Sequence, residues 1–258
     1  MKKVLVIGDM HCGSLTGLTP NSWFISEKRN KKIALLQREM WTNYLRMIDE
    51  LGPVDYLIVN GDAIDGHGKK SSGSELLTTD LLLQADIAVE CLKEISFKKI
   101  LFTHGTPYHT SNEGGEDFEK VIADKMGGKI YDELRLDIDG VIFDIKHHIG
   151  SSSMPTSRFT SMAKNRLWDV LSSEKENREK ADIYIRSHVH YYTFCGEGEW
   201  MAINLPALQA PLTKYGNRRC VGTTDWGMIC FYVEDGHLAG WESKIAILEN
   251  AKAEIIKL

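Results

Sequence analysis

The chain has 258 residues, 43% hydrophobic and 26% charged, a globular composition long enough for a sizeable core. Its 31 Lys and Arg against 36 Asp and Glu leave a formal net charge of −5, which excludes the global positive field of a dedicated nucleic-acid binder but not a local basic patch. Five scattered cysteines (Cys12, Cys91, Cys195, Cys220, Cys230) without any CxxC exclude a disulfide framework and a zinc knuckle, and point to a reducing, cytoplasmic setting.

In "MKKVLVIGDMHCG" the charged Asp9 cuts the apolar run too early for a signal sequence or a membrane span, so this segment is expected to be the first strand. A helix follows over 31–51, with Ile33, Leu36, Met40, Tyr44, Met47 and Leu51 on one stripe. Then come the strand "YLIVNGD", a helix over 75–97, the strand "KKILFTHG" and the helix "EDFEKVIADKMGG", closed by Gly127 and Gly128. This βαβ alternation implies parallel strands covered by helices. Beyond it, "LRLDIDGVIFDI", "FCGEGEWMAI" and "MICFYVEDGHLAGWES" each place a Gly-containing turn between strand-like runs and are expected to be hairpins, with a helix over 159–180 between the first two. The sum is one α/β domain, residues 1–258: two mixed β-sheets packed face to face with flanking helices, a four-layer sandwich.

Five strand ends carry carboxylates and imidazoles: Asp9 and His11, Asp62 and Asp65, His104 to His109, His147 and His148, and His188 and His190. Each alone is more often turn chemistry or an exposed pair than a ligand. Their joint occurrence at the end of open α/β sheets where ligands bind favours one shared site. Imidazole with carboxylate suits Mn²⁺, Fe, Zn²⁺ or Ni²⁺ rather than Ca²⁺.

The order DxH ("VIGDMHCG"), GDxxD ("VNGDAIDG"), a Gly-initiated third motif ("THGTPYHTSNEGG"), an isolated His and a final HxH ("RSHVHYY") resembles the calcineurin-like metallophosphoesterase superfamily, with the third motif similar to a phage-type branch. The resemblance runs from Asp9 to His190. It implies two divalent ions, with Mn²⁺ favoured. Asp9, His11 and His190 hold one, His188 and either His147 or His148 hold the other, and Asp62 bridges. It also implies hydrolysis of a phosphoester by a metal-activated water, with phosphodiesters favoured and nucleic acid or nucleotide as the candidate substrate class.

Two departures stand out. Ser187 replaces the Gly expected before the final HxH. In the third motif the Asn ligand and the proton-donating His are not adjacent; Thr106 takes the Asn position, and His109 is expected to return over the site after Pro107, as proton donor or as replacement ligand. Asp65 either orients a histidine or caps a turn. Arg158 is a candidate phosphate contact, the loops after the first two ligand strands are expected to rim the site with Trp23 and Phe24 available for stacking, and His67 and His237 are expected to be exposed non-ligands. The rival readings are a binding module on the same fold with impaired catalysis, and a metal-dependent amidohydrolase, which the motif order matches less well.

Overall fold

The computed structural model describes residues 1–111, 115–213 and 222–252. Cys220 and residues 112–114 of the third motif lie outside the described residues. Six strands form the first sheet in the order β11-β10-β1-β2-β3-β4. Strands β1 (Lys2–Ile7), β2 (Val54–Asn60), β3 (Phe97–Thr103) and β4 (Lys129–Tyr131) run parallel; β10 (Trp226–Glu234) lies antiparallel to β1, and β11 (His237–Ala246) forms its hairpin partner. The second sheet has the order β5-β6-β7-β9-β8, built from β5 (Leu134–Ile138), β6 (Val141–Ile145), β7 (Ile183–Arg186), β8 (Thr193–Glu197) and β9 (Trp200–Asn204). Pairs β5/β6 and β8/β9 are antiparallel hairpins, while β7 is parallel to both its neighbours.

Strand alternation builds the layers. Val4 and Val6 of β1 join Ile58, Leu101, Ile229 and Phe231, and meet Phe143, Ile145, Ile183, Ile185 and Ile203 of the second sheet in the core between the sheets. Leu5 and Ile7 point the other way, into a core shared with α1 (Glu27–Leu51), α2 (Leu81–Lys93) and α4 (Phe118–Lys125). Because both faces of β1 are covered, its sequence is a continuous apolar run, as parallel strands require. On the far side of the second sheet, α5 (Arg158–Glu176) contributes Met162 to a smaller cluster with Tyr184 and Ala202. The result is the expected mixed α/β sandwich of two sheets with helices outside.

Helix α1 is interrupted at Asn30, whose extended backbone (φ −162°) and side chain, accepting from Ile33 N at 3.1 Å, restart the helix at Lys31. The expected stripe is buried from Leu36 to Leu51, with Ile33 half-buried at its edge. Helix α2 is shorter than its expected 75–97 span, because Asp80 caps it, accepting from Leu82 N and Leu83 N at 2.9 and 3.3 Å. No helix among the described residues is long and apolar enough to cross a membrane.

Candidate metal centre

The carboxyl ends of β1, β2 and β3 in one sheet, and the segments after β6 and β7 in the other, meet at one end of the sandwich. Of the nine non-glycine residues with positive φ among the described residues, five are candidate ligands: Asp9, His11, Asp62, His188 and His190. Left-handed backbone costs side-chain-bearing residues free energy, so its concentration here marks turns shaped for the site rather than for folding alone. The turns after β1 and β2 track each other, with Asp9 N donating to Gly61 O at 3.0 Å and His11 N to Asp62 O at 2.9 Å. Two glycines are required by close approach: a Cβ on Gly61 (φ +74°) would lie 2.5 Å from His147 Nδ1, and one on Gly105 would lie 2.2 Å from Asp62 N.

Asp9, His11 and His190 bring one donor atom each within 4.8 Å of the others. Nε2 of His11 faces Nε2 of His190 at 3.2 Å. Asp9 is fully buried; its Oδ2 accepts from His188 N at 3.0 Å, while Oδ1, 3.2 Å from His190 Nε2, has no hydrogen-bond partner. Burial pushes the Asp9 carboxyl up, but His190 and His147 outweigh it and hold the carboxyl below its ordinary value. Asp65 settles its two expected roles in favour of orienting a histidine: its Oδ1 lies 3.0 Å from His11 Nδ1 and also accepts from Gln209 Nε2 at 3.3 Å. With Nδ1–H held by the carboxylate, Nε2 of His11 is left to face inward.

Asp62, His147 and His188 form a second group. His147 Nε2 lies 3.0 Å from Asp62 Oδ2, and its Nδ1–H donates to Asn60 O at 2.8 Å. Asp62 Oδ1 accepts from Thr106 N at 2.6 Å, and the Thr106 hydroxyl stands 3.1 Å from Asp62 Oδ2, 3.3 Å from His147 Nε2 and 3.2 Å from His188 Nδ1. Burial acts against charge on both members of the Asp62–His147 pair, yet their mutual attraction wins, holding Asp62 well below the carboxylate range and pushing His147 up to about 10. Asp62 also groups with His11 and His109, so it stands between the two ligand sets.

His109 does come back over the site. Pro107 opens a short helix, α3 (Pro107–Thr110), with Thr106 extended before it (φ −75°, ψ 125°), the geometry that a following proline enforces. The His109 ring meets His11 edge-on at 4.7 Å, and its Nδ1–H donates to Asp65 O at 2.7 Å, which leaves Nε2 free. Burial, reinforced by the neighbouring His11, lowers its pKa. Asp65 therefore holds two histidines, one by its carboxylate and one by its carbonyl.

Some candidates stand apart. His148 is exposed and only flanks His188, at 4.8 Å between rings, so among the described residues the His147/His148 alternative falls to His147. Arg158 lies 4.0 Å over the ring of Tyr191, the neighbour of His190. In the loop after β1, Gly13, Ser14 and Thr16 to Pro20 are buried, Trp23 and Phe24 pack on the helical-side core, and Trp23 Nε1 donates to Glu90 Oε2 at 3.0 Å. Its aromatic rings are committed to packing rather than offered for stacking. His237 is exposed as expected, whereas His67 is half-buried; neither joins a ligand group.

Two residues of the site, Asn60 and Glu119, went unforeseen. Asn60 Nδ2 donates to Ser187 Oγ at 2.7 Å and Asn60 Oδ1 accepts from Thr103 at 2.6 Å, which ties the two sheets together beneath the ligands. Ser187 thereby has a use for the side chain it carries in place of Gly. Glu119 of α4 is 1% exposed and accepts from Ala63 N and Gly105 N; burial and the Asp62 charge push its carboxyl up to about 8. With both oxygens engaged, and Asp117 occupied by His104 and by the cap of α4, the His104–Asp117–Glu119 group is structural.

No protein-family model and no curated protein matches the chain. Among solved structures it is similar to wild-type Vps29 complexed with Zn²⁺ from Entamoeba histolytica, at 12% identity over 95% of this chain and 98% of that one, TM-score 0.45. It is similar also to Vps29 from Chaetomium thermophilum, at 9% identity over 91% and 86%, TM-score 0.48. A third is an archaeal phosphodiesterase, at 13% identity over 95% and 99%, TM-score 0.46. These likenesses carry no residue roles across, and the site rests on its own geometry.

Proposed function

We propose that the chain is a metal-dependent phosphoester hydrolase, acting on phosphodiesters in preference to monoesters, with a dinuclear centre at the strand ends. The observation that carries this reading is the pairing of two ligand sets around Asp62, in which imidazole nitrogens and carboxylate oxygens converge to within 4.8 Å of one another. The residues fit the ions. Asp9 Oδ1 is buried without a hydrogen bond, two imidazole nitrogens oppose each other at 3.2 Å, and His147 has its outer nitrogen committed to a carbonyl while its inner one faces Asp62 Oδ2 at 3.0 Å, where a cation would take the place of its proton. Nitrogen and carboxylate donors together suit Mn²⁺, with Fe, Zn²⁺ and Ni²⁺ admitted.

Asp9, His11 and His190 would hold one ion, His147 and His188 the other, with Asp62 serving both. Bound there, two divalent cations neutralise the phosphoryl oxygens and bring the pKa of a water toward neutrality. The protein's own part is to orient and to move a proton. Asp65 fixes the ring of His11 and Asn60 fixes that of His147, while His109, with Nδ1–H held by Asp65 O, presents Nε2, which gives a proton to the leaving oxygen only after the ring has taken one up to become imidazolium. Arg158, stacked on Tyr191, is assigned to the flanking phosphate of a nucleotide or nucleic-acid substrate. A reducing compartment such as the cytoplasm suits the four described cysteines, all free.

One observation favours the binding-module reading: Thr106 stands where the family pattern has an amide oxygen, and its hydrogen bonds draw on both oxygens of Asp62. Metal analysis of the purified protein alongside hydrolysis of a generic diester and a generic monoester decides. Two ions per chain with diester turnover support the enzyme. Bound ions without turnover leave the module, and a chain that binds no divalent ion removes both.

A further inference from the structure

Glu119 lies on α4, outside every motif that points to the centre, yet its carboxyl reaches the backbone of two of them. Oε1 accepts from Ala63 N at 3.0 Å, and Oε2 accepts from Gly105 N at 2.6 Å. Ala63 follows Asp62 and Gly105 precedes Thr106, so one side chain spans the two turns that carry the bridging carboxylate and the threonine beside it. Those turns are already in contact, through Thr106 N on Asp62 Oδ1 at 2.6 Å and the absent Cβ of Gly105. The carboxyl is itself held firmly. Asp117 caps α4, accepting from Glu119 N at 2.9 Å and Lys120 N at 3.2 Å, and pairs with His104 Nδ1 at 2.9 Å, while Phe118, Ile122 and Ala123 anchor the helix in the core. Two amide N–H groups that would otherwise be unsatisfied at the base of the site thus end on one rigidly mounted side chain.

We propose that Glu119 is a positioning residue of the metal centre, setting the spacing between Asp62 and Thr106 and through it the shape of the ligand set around Asp62, His147 and His188. The inference rests on the dinuclear reading above. The variant Glu119→Gln preserves size but turns an NH₂ toward one of the two backbone N–H groups, donor against donor, so one turn must move. Loss of such an outer contact costs about 10-fold to 100-fold in metal affinity.

The test is a Mn²⁺ titration of metal-free protein, followed by calorimetry and by the electron paramagnetic resonance of free Mn²⁺, for wild type, Glu119→Gln and Met47→Ala. Truncation of Met47, buried in the core on α1, lowers stability and controls for a general loss of packing. The expected result is two ions in wild type, about 10-fold to 100-fold weaker binding in Glu119→Gln, and wild-type affinity in Met47→Ala. Wild-type affinity in Glu119→Gln, or equal losses in the two variants, overturns the positioning role and leaves the metal reading intact; a wild type that takes up no Mn²⁺ overturns both. Amide exchange in the wild-type protein tests the contact without relying on a variant that folds: Ala63 and Gly105 N–H are expected to be protected, and rapid exchange at both rejects the proposal.

Discussion

Thr106 meets Asp62 twice, its backbone N–H on Oδ1 at 2.6 Å and its hydroxyl on Oδ2 at 3.1 Å, while the same hydroxyl stands within 3.3 Å of His147 and His188. The hydroxyl thus stands among the donor atoms of Asp62, His147 and His188 and draws on the Asp62 carboxylate. Replacing it by the near-isosteric Thr106→Val keeps the backbone contact and removes the oxygen. We expect the second ion to bind roughly 10-fold more weakly with the first unaffected, as for other contacts around metal ligands. Calorimetric Mn²⁺ titration reads this directly, and unchanged binding at both sites would mean that the hydroxyl serves only as a hydrogen-bond donor to Asp62.

Asp62 groups with donors of both sets, so Asp62→Asn is expected to weaken both ions together by removing the charge between them. Equilibrium dialysis against Mn²⁺ with metal counting is the check. Loss of a single ion would reassign the bridge.

His109→Ala separates the two roles of that histidine. A proton donor's loss lowers turnover of a diester by about 10²-fold to 10⁴-fold with both ions retained, whereas a ligand's loss empties one site. With Nδ1–H held, the neutral ring offers Nε2 as a lone pair, so the donor role requires a second proton that the lowered pKa disfavours, and the variant decides between the two roles. Unaltered rate and metal content together would place His109 outside the reaction.

Asp169 on α5 carries a prediction about stability. Its carboxylate accepts from Arg135 Nη1 and Arg178 Nη1 at 2.8 Å each, from Ala181 N at 2.9 Å and from Tyr184 OH at 2.5 Å, which ties α5 to β5 and β7. Burial works against the charge, but these donors hold the Asp169 pKa below its ordinary value. A depressed folded pKa stabilises above the unfolded value of about 3.9 and loses that contribution as pH falls through the folded one. Asp169→Ala should therefore cost about 1.5 to 3 kcal/mol in urea unfolding at pH 7, where Arg135 and Arg178 each lose one partner but keep Asp144 and Glu176, and less at pH 3. A deficit that stays constant between pH 7 and pH 3 would rule out the charged form as the source.

If the substrate is a nucleic acid, cleavage of single-stranded oligonucleotides should fall steeply as salt rises, because each phosphate contact releases counterions. Small diesters should be far less sensitive. Oligonucleotides neither bound nor cut, alongside active hydrolysis of small diesters, would restrict the substrate to nucleotides or smaller esters.

Much of the architecture was legible in sequence because local periodicity and turn chemistry agree with the fold. Apolar runs ending in Gly-Asp or Thr-His became parallel strands, Gly-centred pairs became the three hairpins, and the stripe from Leu36 to Leu51 became the buried face of α1. The residue types needed to bind divalent ions could likewise be recognised from the strand ends. A pattern that stops at the strand end, however, says little about which way an adjacent side chain turns. The choice of His147 over His148 follows the inward alternation of Val141, Phe143 and Ile145, a signal that the apolar Ile142 on the opposite face obscured.

Tertiary structure decided the rest, since contacts between segments far apart in the chain leave no local periodicity. Asn60 reaches Ser187 across 127 positions, His11 meets His190 across 179, and Trp23 and Phe24 of the loop after β1 are taken up by packing against the helical-side core. Glu119 is the sharpest case. It shares the buried face of α4 with Phe118, Ile122 and Ala123, an oddly placed carboxylate in the sequence, and only the approach of the turns after β2 and β3 supplies the two backbone N–H groups that give it a purpose. A buried acid needs donors, and which donors reach it is set by packing, not by its neighbours in the chain.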